Sequence, residues 1–522
     1  MKAHLLYRDR DFDLHGSGPP QEAALVQDLE LNTLLGAMAT GDPFLLEVAR
    51  RVVLTSLREP EVILYRQRVL ADCLERPAIV REMYAIAAEA LERERGVWSV
   101  FSSPRYPEGV QHRCVELLQR FMDLLKRLRR IADVHAAQFR SEGFRMLFGM
   151  FAKELDDEYL AIVEEHLRRL ELREGVLLSA ELDQGNKGTR YVLHMLYTKQ
   201  TWAERLKDWL SARLFSDRSG YVYQIADRDQ AGFNALAELN NRGIALVASA
   251  LAQSTDHIQD FFGMLRWELG FYLGCLNLCE CLARKGEPVC FPVPLAAGNA
   301  TLSGRGLYDV CLSLSVAQRL VGNDVSADDK LLVMMTGANR GGKSTFLRSV
   351  GLAQLMMQCG MFVPAQSFHA NVCDGIFTHF KREEDASMKS GKLDEELSRM
   401  SSIVDSLSPN SIVLHNESFA STNEREGSEI ARQIVRALVE RGIKVFYVTH
   451  LFDLARGFHR AKMGTALFLR AERLADGRRT FRLVEGEPLP TSHAEDLYRR
   501  IFGTTPVGRR DASASGMKVG RS

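Results

Sequence analysis

The spacing of hydrophobic residues divides the chain into a long helical part and a later part in which helices alternate with strands. Apolar residues recur at intervals of three and four between residues 22 and 94 and again between residues 233 and 284, which predicts amphipathic helices. The Gly41-Asp42-Pro43 and Glu59-Pro60 steps predict helix breaks within the first stretch. The two stretches flank a region with a stricter pattern.

Residues 110–172 predict long helices that pack as an antiparallel pair or a short coiled coil. Strand-like runs on both sides of residues 185–188 predict a hairpin, and residues 220–225 predict one further strand. The apolar positions of the helical seam are Leu118, Phe121, Leu125, Leu128 and Ala132, and then Leu160, Val163, Leu167 and Leu170.

Short apolar runs of the kind found in buried parallel strands appear in the last third of the chain. Residues 331–335 form the first run, and helical periodicity follows it. Residues 411–415 and 444–448 form two more runs, and each is followed by polar residues. This alternation predicts an α/β domain with a parallel sheet.

Breaks in the pattern set the predicted domain boundaries. Gly286 and Pro288 precede the α/β pattern, and Pro506 opens a Gly/Ser/Ala-rich basic tail that we expect to be disordered. The expected segments are an N-terminal arm (1–20), a first helical core part (21–105), a long-helix lever with a small hairpin (106–215), a second helical core part (216–287), the α/β domain (288–505) and the tail (506–522).

Composition adds limits on partners and compartment. The chain has 522 residues, too many for one core, and its 67 Lys plus Arg balance 67 Asp plus Glu. A protein without net charge needs local basic patches if it is to contact nucleic acid. Nine scattered cysteines fit a reducing cytosol, and the apolar stretch 261–283 carries charges that argue against a membrane span, so we expect a cytoplasmic protein.

A glycine-rich loop follows the first buried strand and opens a helix, in the pattern G-x-x-x-x-G-K-[ST]. Its glycines admit phosphates close to the backbone, and the helix N-terminus adds unpaired N–H groups. Lys343 is placed to reach the β and γ oxygens of a nucleoside triphosphate, and the Ser344 hydroxyl to bind Mg²⁺. The predicted binding residues are Gly337, Ala338, Asn339, Arg340, Gly341, Gly342, Lys343, Ser344 and Thr345.

The polar residues after the next two strands supply candidate catalytic groups. Asn416 stands where an Asp usually holds Mg²⁺, and Glu417 is a candidate general base for water. His450 follows the third strand and is a candidate sensor of the γ-phosphate, although a lone histidine is more often structural. The alternative for the pair at 416–417 is an ordinary core strand with polar residues after it.

Other patterns are less specific. Ser390 and Gly391 stand where a helix could begin and form a further anion site, or they belong to a solvated charged loop. Core or partner-facing packing explains the cysteines better than zinc, because their spacing is not a common zinc pattern. The basic run favours a solvated helix face over a phosphate contact. These two groups are Cys275, Cys279, Cys281 and Cys290, and Arg120, Lys126, Arg127, Arg129 and Arg130.

Together these motifs resemble the MutS family of mismatch-repair ATPases. Residues 336–365 resemble the family's T-G-P-N-x-G-G-K-S-T and later V-P-A, and residues 384–400 resemble its signature loop. Asn416-Glu417 with Thr422 resembles its D-E-x-x-x-x-T-S element, and residues 447–452 resemble its A-T-H-Y-F. Residues 492–503 resemble the C-terminal helical part that helps to pair subunits.

The resemblance implies a C-terminal P-loop ATPase domain of the ABC type, preceded by a mainly α-helical core and lever module. It implies ATP and Mg²⁺ as cofactors, with Ser344 and Asn416 at the metal and Glu417, Lys343 and His450 in catalysis. It also implies a homodimer with composite ATP sites that Ser390, Gly391 and Thr422 complete, DNA as the expected partner, and other repair or recombination proteins as further partners.

Departures from the family narrow the expected function. The first hundred residues contain no Phe-x-Glu wedge, there is no mismatch-reading domain and no full connector domain, and only a short tail follows the ATPase part. We therefore expect an ATPase that binds DNA by its structure and not by mismatch, slowed by Asn416. The alternative is a nucleotide-dependent dimeric scaffold with weak ATPase activity that binds proteins and not DNA. An ABC transporter subunit is a further rival, but its L-S-G-G-Q signature is absent.

Overall fold

The computed structural model describes residues 1–16, 18–97, 107–171, 177–183, 187–194, 230–298, 300–382, 391–474 and 478–488. Contacts divide the chain into two compact units, which are interleaved along the sequence. The first unit comprises Met1–Gly16, Met38–Val52 and Leu64–Leu278, and the second comprises Ser17–Ala37, Val53–Ile63 and Cys279–Ser522.

The helices of the first half begin and end where proline and glycine predict. The break at residues 41–43 separates α2 from α3, and the break at residues 59–60 separates α3 from α4, so both predicted breaks are confirmed. A proline fits the first helical turn because it has no N–H to leave unpaired. The helices are α1 Glu22–Asp28, α2 Leu31–Ala39, α3 Pro43–Leu54, α4 Pro60–Glu75, α5 Pro77–Val97, α6 Pro107–His135, α7 Glu142–Glu154, α8 Asp157–Leu170 and α9 Gln230–Arg284, with a 3₁₀ turn at Ala136–Gln138.

The predicted helical seam and the hairpin are both present in the first unit. Helix α6 packs against α5, α7 and α8. Strands β1 (Leu177–Asp183) and β2 (Lys187–His194) pair antiparallel, which confirms the predicted hairpin. Five side chains of the α6 seam are buried, and they are Leu118, Phe121, Leu125, Leu128 and Ala132.

The first residues of the chain pack into the first unit although they form no regular secondary structure. Leu5 and Leu6 are fully buried, and the Leu5 amide donates to Glu268 Oε2 at 2.6 Å. Tyr272 donates its hydroxyl to the Leu5 carbonyl at 2.6 Å, and Arg66 Nε donates to the Leu6 carbonyl at 2.9 Å. Side chains thus satisfy backbone groups that would otherwise be buried without partners.

The second unit contains the predicted α/β domain. Its helices are α1, α10 (Val310–Ser315), α11 (Lys343–Gln358), α12 (Lys392–Ser406), α13 (Glu424–Glu440) and α14 (Phe452–Arg460), with most of α2. Six strands form one sheet in the order β12, β11, β6, β10, β9, β8. These strands are β6 Leu332–Thr336, β8 Ile376–Phe380, β9 Ile412–Asn416, β10 Lys444–Val448, β11 Ala466–Arg473 and β12 Arg479–Glu485.

Five of the six strands run parallel, and β12 pairs antiparallel with β11. Strands β6 and β10 are buried at every position, as their continuous apolar runs predict for a sheet covered on both faces. Strand β8 is also buried at every position. Because β6, β10 and β9 are neighbours, their carboxyl ends lie side by side at one edge of the sheet. Ligands of open α/β sheets bind at that edge.

A second sheet was not predicted from the sequence. Its four strands lie in the order β3, β7, β4, β5, and they are β3 Val293–Leu295, β4 Leu302–Leu307, β5 Asn323–Ser326 and β7 Ser367–Asn371. The strands are short and have only three to six residues, which is too few for a clear alternation of apolar and polar positions.

Some sequence predictions fall outside the described residues. These are the strand at 220–225, Ser390 with most of the preceding charged loop, the pairing segment 492–503 and the tail 506–522. Of the helices that the structure describes, none combines the length and apolar character needed to cross a membrane.

Candidate functional site

The loop between β6 and α11 has a backbone that only glycine adopts without strain at two positions. Gly337 has φ of 116° and Gly342 has φ of 91°, and Gly342 is the residue that caps α11. A Cβ at Gly341 would lie 2.7 Å from the Ala471 side chain. The loop therefore needs its glycines both for conformation and for space.

Lys343 begins α11 and lies under this loop. Its side chain is 4 % exposed, and Nζ donates to the carbonyl oxygens of Gly337 at 2.8 Å and Ala338 at 2.9 Å. Burial lowers the pKa of Lys343 to about 8, against the opposing charge of Glu417, and Arg479 lowers it further. The ammonium group thus has neutral hydrogen-bond partners, which leaves its charge available to an anion.

Ser344 and Asn416 meet although 72 residues separate them. The Ser344 hydroxyl donates to Asn416 Oδ1 at 2.8 Å, because the loop after β6 and the end of β9 lie at the same edge of the sheet. Both side chains are partly buried. A hydroxyl oxygen and an amide oxygen at one place fit Mg²⁺, which takes few protein ligands and keeps waters and phosphate oxygens as the others.

Glu417 and His450 form the second predicted pair at this edge. His450 Nε2 lies 2.9 Å from Glu417 Oε1, and the two side chains are 26 % and 33 % exposed. The hydrogen bond from His450 lowers the pKa of Glu417, burial opposes this, and Lys343 and Lys381 contribute in the same direction as His450. The carboxyl group is therefore held in its charged form, as a proton acceptor requires.

The other residues of the predicted loop divide into covered and exposed positions. Ala338 and Gly341 are buried, whereas Asn339 and Arg340 are exposed, and Arg340 has φ of 59°. Thr345 is partly buried in the first turn of α11.

Two of the residues predicted for a composite site lie near the starts of α12 and α13. Gly391 is exposed and precedes α12, and the Thr422 hydroxyl donates to the Glu426 carboxylate near the start of α13. In the described part of the chain, neither residue is hydrogen bonded to the loop at 337–345. Their roles stay predictions.

The structure adds neighbours that sequence reasoning did not single out. The Lys381 amide donates to the Asn416 carbonyl at 2.9 Å, and its charge acts on Glu417. Arg479, the first residue of β12, acts on Lys343. Neither residue belongs to a recognisable motif, so no signal in the sequence marks them. His379 and His415 form a buried group with Ser418, the residue after Glu417.

Cys275 is buried, whereas Cys279, Cys281 and Cys290 are partly buried. None of these four cysteines forms a disulfide, and among the described residues no cluster of three His, Cys, Asp or Glu side chains is placed to bind a metal.

Cations of the basic run on α6 are largely paired. Lys126 contacts Glu164, Arg127 lies 2.7 Å from Glu89, and Arg120 pairs with Glu116. Arg129 Nε lies 2.8 Å from Asp133 Oδ1, and its Nη1 donates to the carbonyls of Phe151 and Ala152.

The structure defines the class of this protein. It is a mixed α/β protein with long helices and a polar site at the carboxyl edge of a parallel sheet. Comparison with protein-family models gives two matches. The model described as MutS2 N-terminal domain matches residues 58–285, and the model described as MutS domain V matches residues 333–487. Both models describe MutS proteins, which confirms the resemblance of this chain to the MutS family.

Individual relatives are similar over shorter stretches. The DNA mismatch repair protein MutS of Thermotoga sp. (strain RQ2) is 39% identical over 138 residues, which are 26% of this chain and 17% of that protein. The endonuclease MutS2 of Lacticaseibacillus casei (strain BL23) is 30% identical over 274 residues, 51% of this chain and 34% of that protein. The MutS of Thermus aquaticus is 37% identical over 132 residues, 25% of this chain and 16% of that protein. The chain thus covers between 16% and 34% of these relatives.

Proposed function

We propose that this chain binds ATP and Mg²⁺ at the loop of residues 337–345, hydrolyses ATP and acts on DNA through a P-loop ATPase domain of the ABC type. The observation that carries the proposal is the convergence of Lys343, the Ser344–Asn416 contact and the Glu417–His450 pair at one sheet edge. The match to MutS domain V covers the same residues. A buried lysine, a hydroxyl and a carboxylate are the groups that phosphoryl transfer needs.

Each side chain has a distinct task in this proposal. Lys343 exchanges its two carbonyl partners for β and γ phosphate oxygens, and the N–H groups at the start of α11 face the same anion. Ser344 and Asn416 hold Mg²⁺, which would neutralise charge on the phosphates. Glu417 accepts a proton from the attacking water, and His450 orients that carboxylate through their 2.9 Å contact.

Hydrolysis is expected to be slow because Asn416 contributes no charge to the metal. An amide oxygen binds Mg²⁺ less strongly than a carboxylate does, and a metal held less firmly gives less stabilisation to the developing charge. The nearest carboxylate on this strand end is Glu417, which the proposal assigns to water. The site therefore favours binding of ATP over rapid turnover.

The proposed assembly is a homodimer with two composite ATP sites. Gly391 is exposed in front of α12, and Thr422 lies in front of α13, so both helix starts are available to a nucleotide held by a partner subunit. In a two-fold dimer each subunit gives its loop to one ATP and residues 390–391 and 422 to the other. ATP would then supply part of the interface.

DNA is the proposed target because relatives carry the names DNA mismatch repair protein and endonuclease MutS2. Contacts to phosphates position a protein on DNA without reading the bases. We therefore propose that this chain prefers bent or branched DNA to a single mismatch. The cytoplasm is the proposed compartment, and other repair or recombination proteins are proposed partners.

A second candidate is an ATP-dependent scaffold that hydrolyses ATP only weakly and binds proteins. The pairing of the α6 cations favours it, because a cation that is already neutralised by Glu164, Glu89 or Glu116 gives little to a phosphate. Asn416 also favours it. Arg130 is exposed, but one such residue neutralises at most one phosphate.

The deciding experiment measures binding of ATP and DNA by the same protein. A panel of duplex, single-mismatch, single-stranded and branched DNA is titrated with and without ATP at several salt concentrations. The first candidate predicts ATP-dependent binding to bent or branched DNA that weakens with salt. Binding of ATP without binding to any DNA at low salt would support the scaffold, and a preference for the single mismatch would contradict both.

A further inference from the structure

The residue after Glu417 lies in an unusual turn. Glu417 has φ of 55° and Phe419 has φ of 61°, so two residues with side chains adopt the left-handed region on either side of Ser418. Such conformations persist only where the surroundings hold them in place. Ser418 itself is fully buried, which makes its contacts the place to look for what holds the turn.

Three side chains converge on Ser418, one from each of the adjacent strands β8, β9 and β10. The Tyr447 hydroxyl donates to the Ser418 carbonyl at 2.8 Å. The Ser418 hydroxyl lies 2.7 Å from His379 Nδ1 and 3.1 Å from His415 Nδ1, and also 2.6 Å from the His379 carbonyl. All four side chains are fully buried.

The hydrogen-bond partners fix the proton on each ring. His379 Nε2 lies 2.9 Å from the Glu396 carbonyl, which only accepts, so Nε2 carries the proton and Nδ1 of the neutral ring carries none. The single Ser418 proton is shared between the His379 carbonyl and Nδ1. His415 Nδ1 faces the Ser418 oxygen, while its Nε2 has no partner among the described residues. Its single proton therefore belongs on Nδ1. Burial keeps both rings neutral by lowering the pKa of each.

Ring packing and backbone contacts complete the support. His415 stacks on Tyr447 with centroids 4.8 Å apart, and His379 stacks on Phe419 at 5.2 Å. The Glu417 amide donates to the Val448 carbonyl at 2.9 Å. Contacts from β8, β9 and β10 thus hold the turn.

We propose that Tyr447, His379 and Ser418 are positioning residues that hold Glu417 in the conformation in which its carboxylate meets His450. The inference rests on the proposed function, since it treats Glu417 as the group that activates water. None of the three touches the nucleotide or the reacting atoms in this proposal. Their effect reaches the carboxylate through the backbone of residues 417–419, because two strained residues must both keep their conformation.

Tyr447→Phe is the main test, because it removes one hydroxyl and keeps the ring that stacks on His415. We expect kcat for ATP hydrolysis to fall roughly 10- to 100-fold while KM stays within about twofold, as for a displaced catalytic group. Tyr308→Phe is the matched control, since Tyr308 is buried in the same unit and its hydroxyl has no hydrogen-bond partner among the described residues. It should leave kcat unchanged.

A double-mutant cycle separates positioning from a general loss of stability. With Glu417→Gln already present, Tyr447→Phe should lower kcat no further, because the group it positions is gone. Ser418→Ala should behave like Tyr447→Phe. A full additional loss in the Glu417→Gln background, or an unchanged kcat in Tyr447→Phe, would overturn the proposal and leave the ATPase assignment standing.

A crystal structure of Tyr447→Phe tests the positioning role even if the parent protein hydrolyses no ATP. Absence of hydrolysis in the parent would count against the proposed turnover and not against the positioning role. The inference predicts that Glu417 leaves the left-handed region or loses its contact with His450. A turn that keeps both features contradicts it.

Discussion

Two buried lysines lie at the carboxyl and amino edges of the six-stranded sheet, and they are alike in burial and in the kind of hydrogen bonds they make. Lys343 is 4 % exposed and Lys444 is 6 % exposed, and each donates to two backbone carbonyls. Burial lowers the pKa of Lys343 to about 8 and that of Lys444 to about 7. A buried lysine with a lowered pKa therefore does not by itself identify an anion site.

The difference lies in what else meets each lysine. Lys343 follows the carboxyl end of β6, where α11 begins with unpaired N–H groups and where Ser344 and Glu417 lie. Lys444 is the first residue of β10, at the amino edge, and its Nζ joins the carbonyls of Ala300 and Ala327. Lys343 is therefore placed to bind phosphate, whereas Lys444 connects two loops through hydrogen bonds.

The largest expected effect is the loss of ATP binding in Lys343→Ala. Truncation of one partner of a buried charge contact costs about 2–5 kcal/mol, so ATP affinity should fall by roughly 30-fold or more. Lys444→Met is the matched control and should keep the parent's affinity. Isothermal titration measures both, and equal affinity in Lys343→Ala and the parent would remove the loop from the site.

Glu417→Gln should keep ATP binding and lower turnover, by roughly 10²-fold or more if this carboxylate accepts the proton. The amide keeps the size of the side chain and removes the charge that His450 faces. Single-turnover hydrolysis measures the effect. If turnover stays at the parent's rate, His450 becomes the next candidate for the base.

ATP affinity and stability should respond to pH in opposite directions. The free protein loses the Lys343 proton above about pH 8, so ATP affinity should fall by up to about tenfold per pH unit there. The ordinary pKa of lysine is 10.5, so between about pH 8 and 10.5 the unfolded chain binds more protons, and the free energy of unfolding should rise with pH.

Lys444→Met sharpens the pH comparison, because it should reduce the rise in stability and leave the fall in ATP affinity unchanged. Titration calorimetry and urea unfolding at pH 7.5, 8.5 and 9.5 measure the two trends. An ATP affinity that is constant over this range in the parent would contradict the role of Lys343.

Asn416→Asp should lower the Mg²⁺ concentration needed for half-maximal hydrolysis by about fivefold, since a partly exposed charge pair is worth about 1 kcal/mol. The Ser344 hydroxyl can donate to either side chain, so the contact itself survives. A loss of both Mg²⁺ affinity and hydrolysis would show that the surrounding site is adapted to a neutral group.

The smallest effect is expected from the basic run on α6. Replacement of Lys126, Arg127 and Arg129 with Gln should change the salt dependence of DNA binding by less than one unit of log–log slope, because their charges already face carboxylates. Arg130→Gln is the comparison for an exposed cation. A drop of two to three units in the triple variant would identify this face as the DNA contact.

The sequence by itself determined the elements whose signals are local. The loop from Gly337 to Thr345 follows an apolar run and opens a helix, and both neighbours are found as predicted. The helix starts at Pro43 and Pro60 were equally accessible, since proline acts on its own residue and the one before it. The β1–β2 hairpin was also predicted, because its glycines and strands are contiguous.

Only the tertiary structure decided which distant residues meet. The order β6, β10, β9 places Ser344 against Asn416 and Glu417 against His450, and apolar runs do not encode their own order in a sheet. The strands of the second sheet are too short to show a clear alternation of apolar and polar residues, so the sequence did not predict them.

Burial and pairing also came from the fold alone. In sequence, the α6 cations form a basic cluster, and the neutralisation of Lys126 and Arg127 depends on Glu164 and Glu89, each 38 residues away from its partner. His379 and His415 resemble any other histidines until β8 and β9 bring them to one serine. The interaction energy of a charge and the pKa of a titratable group depend on the groups that surround it in space. Chain folding brings such groups together from distant parts of the sequence.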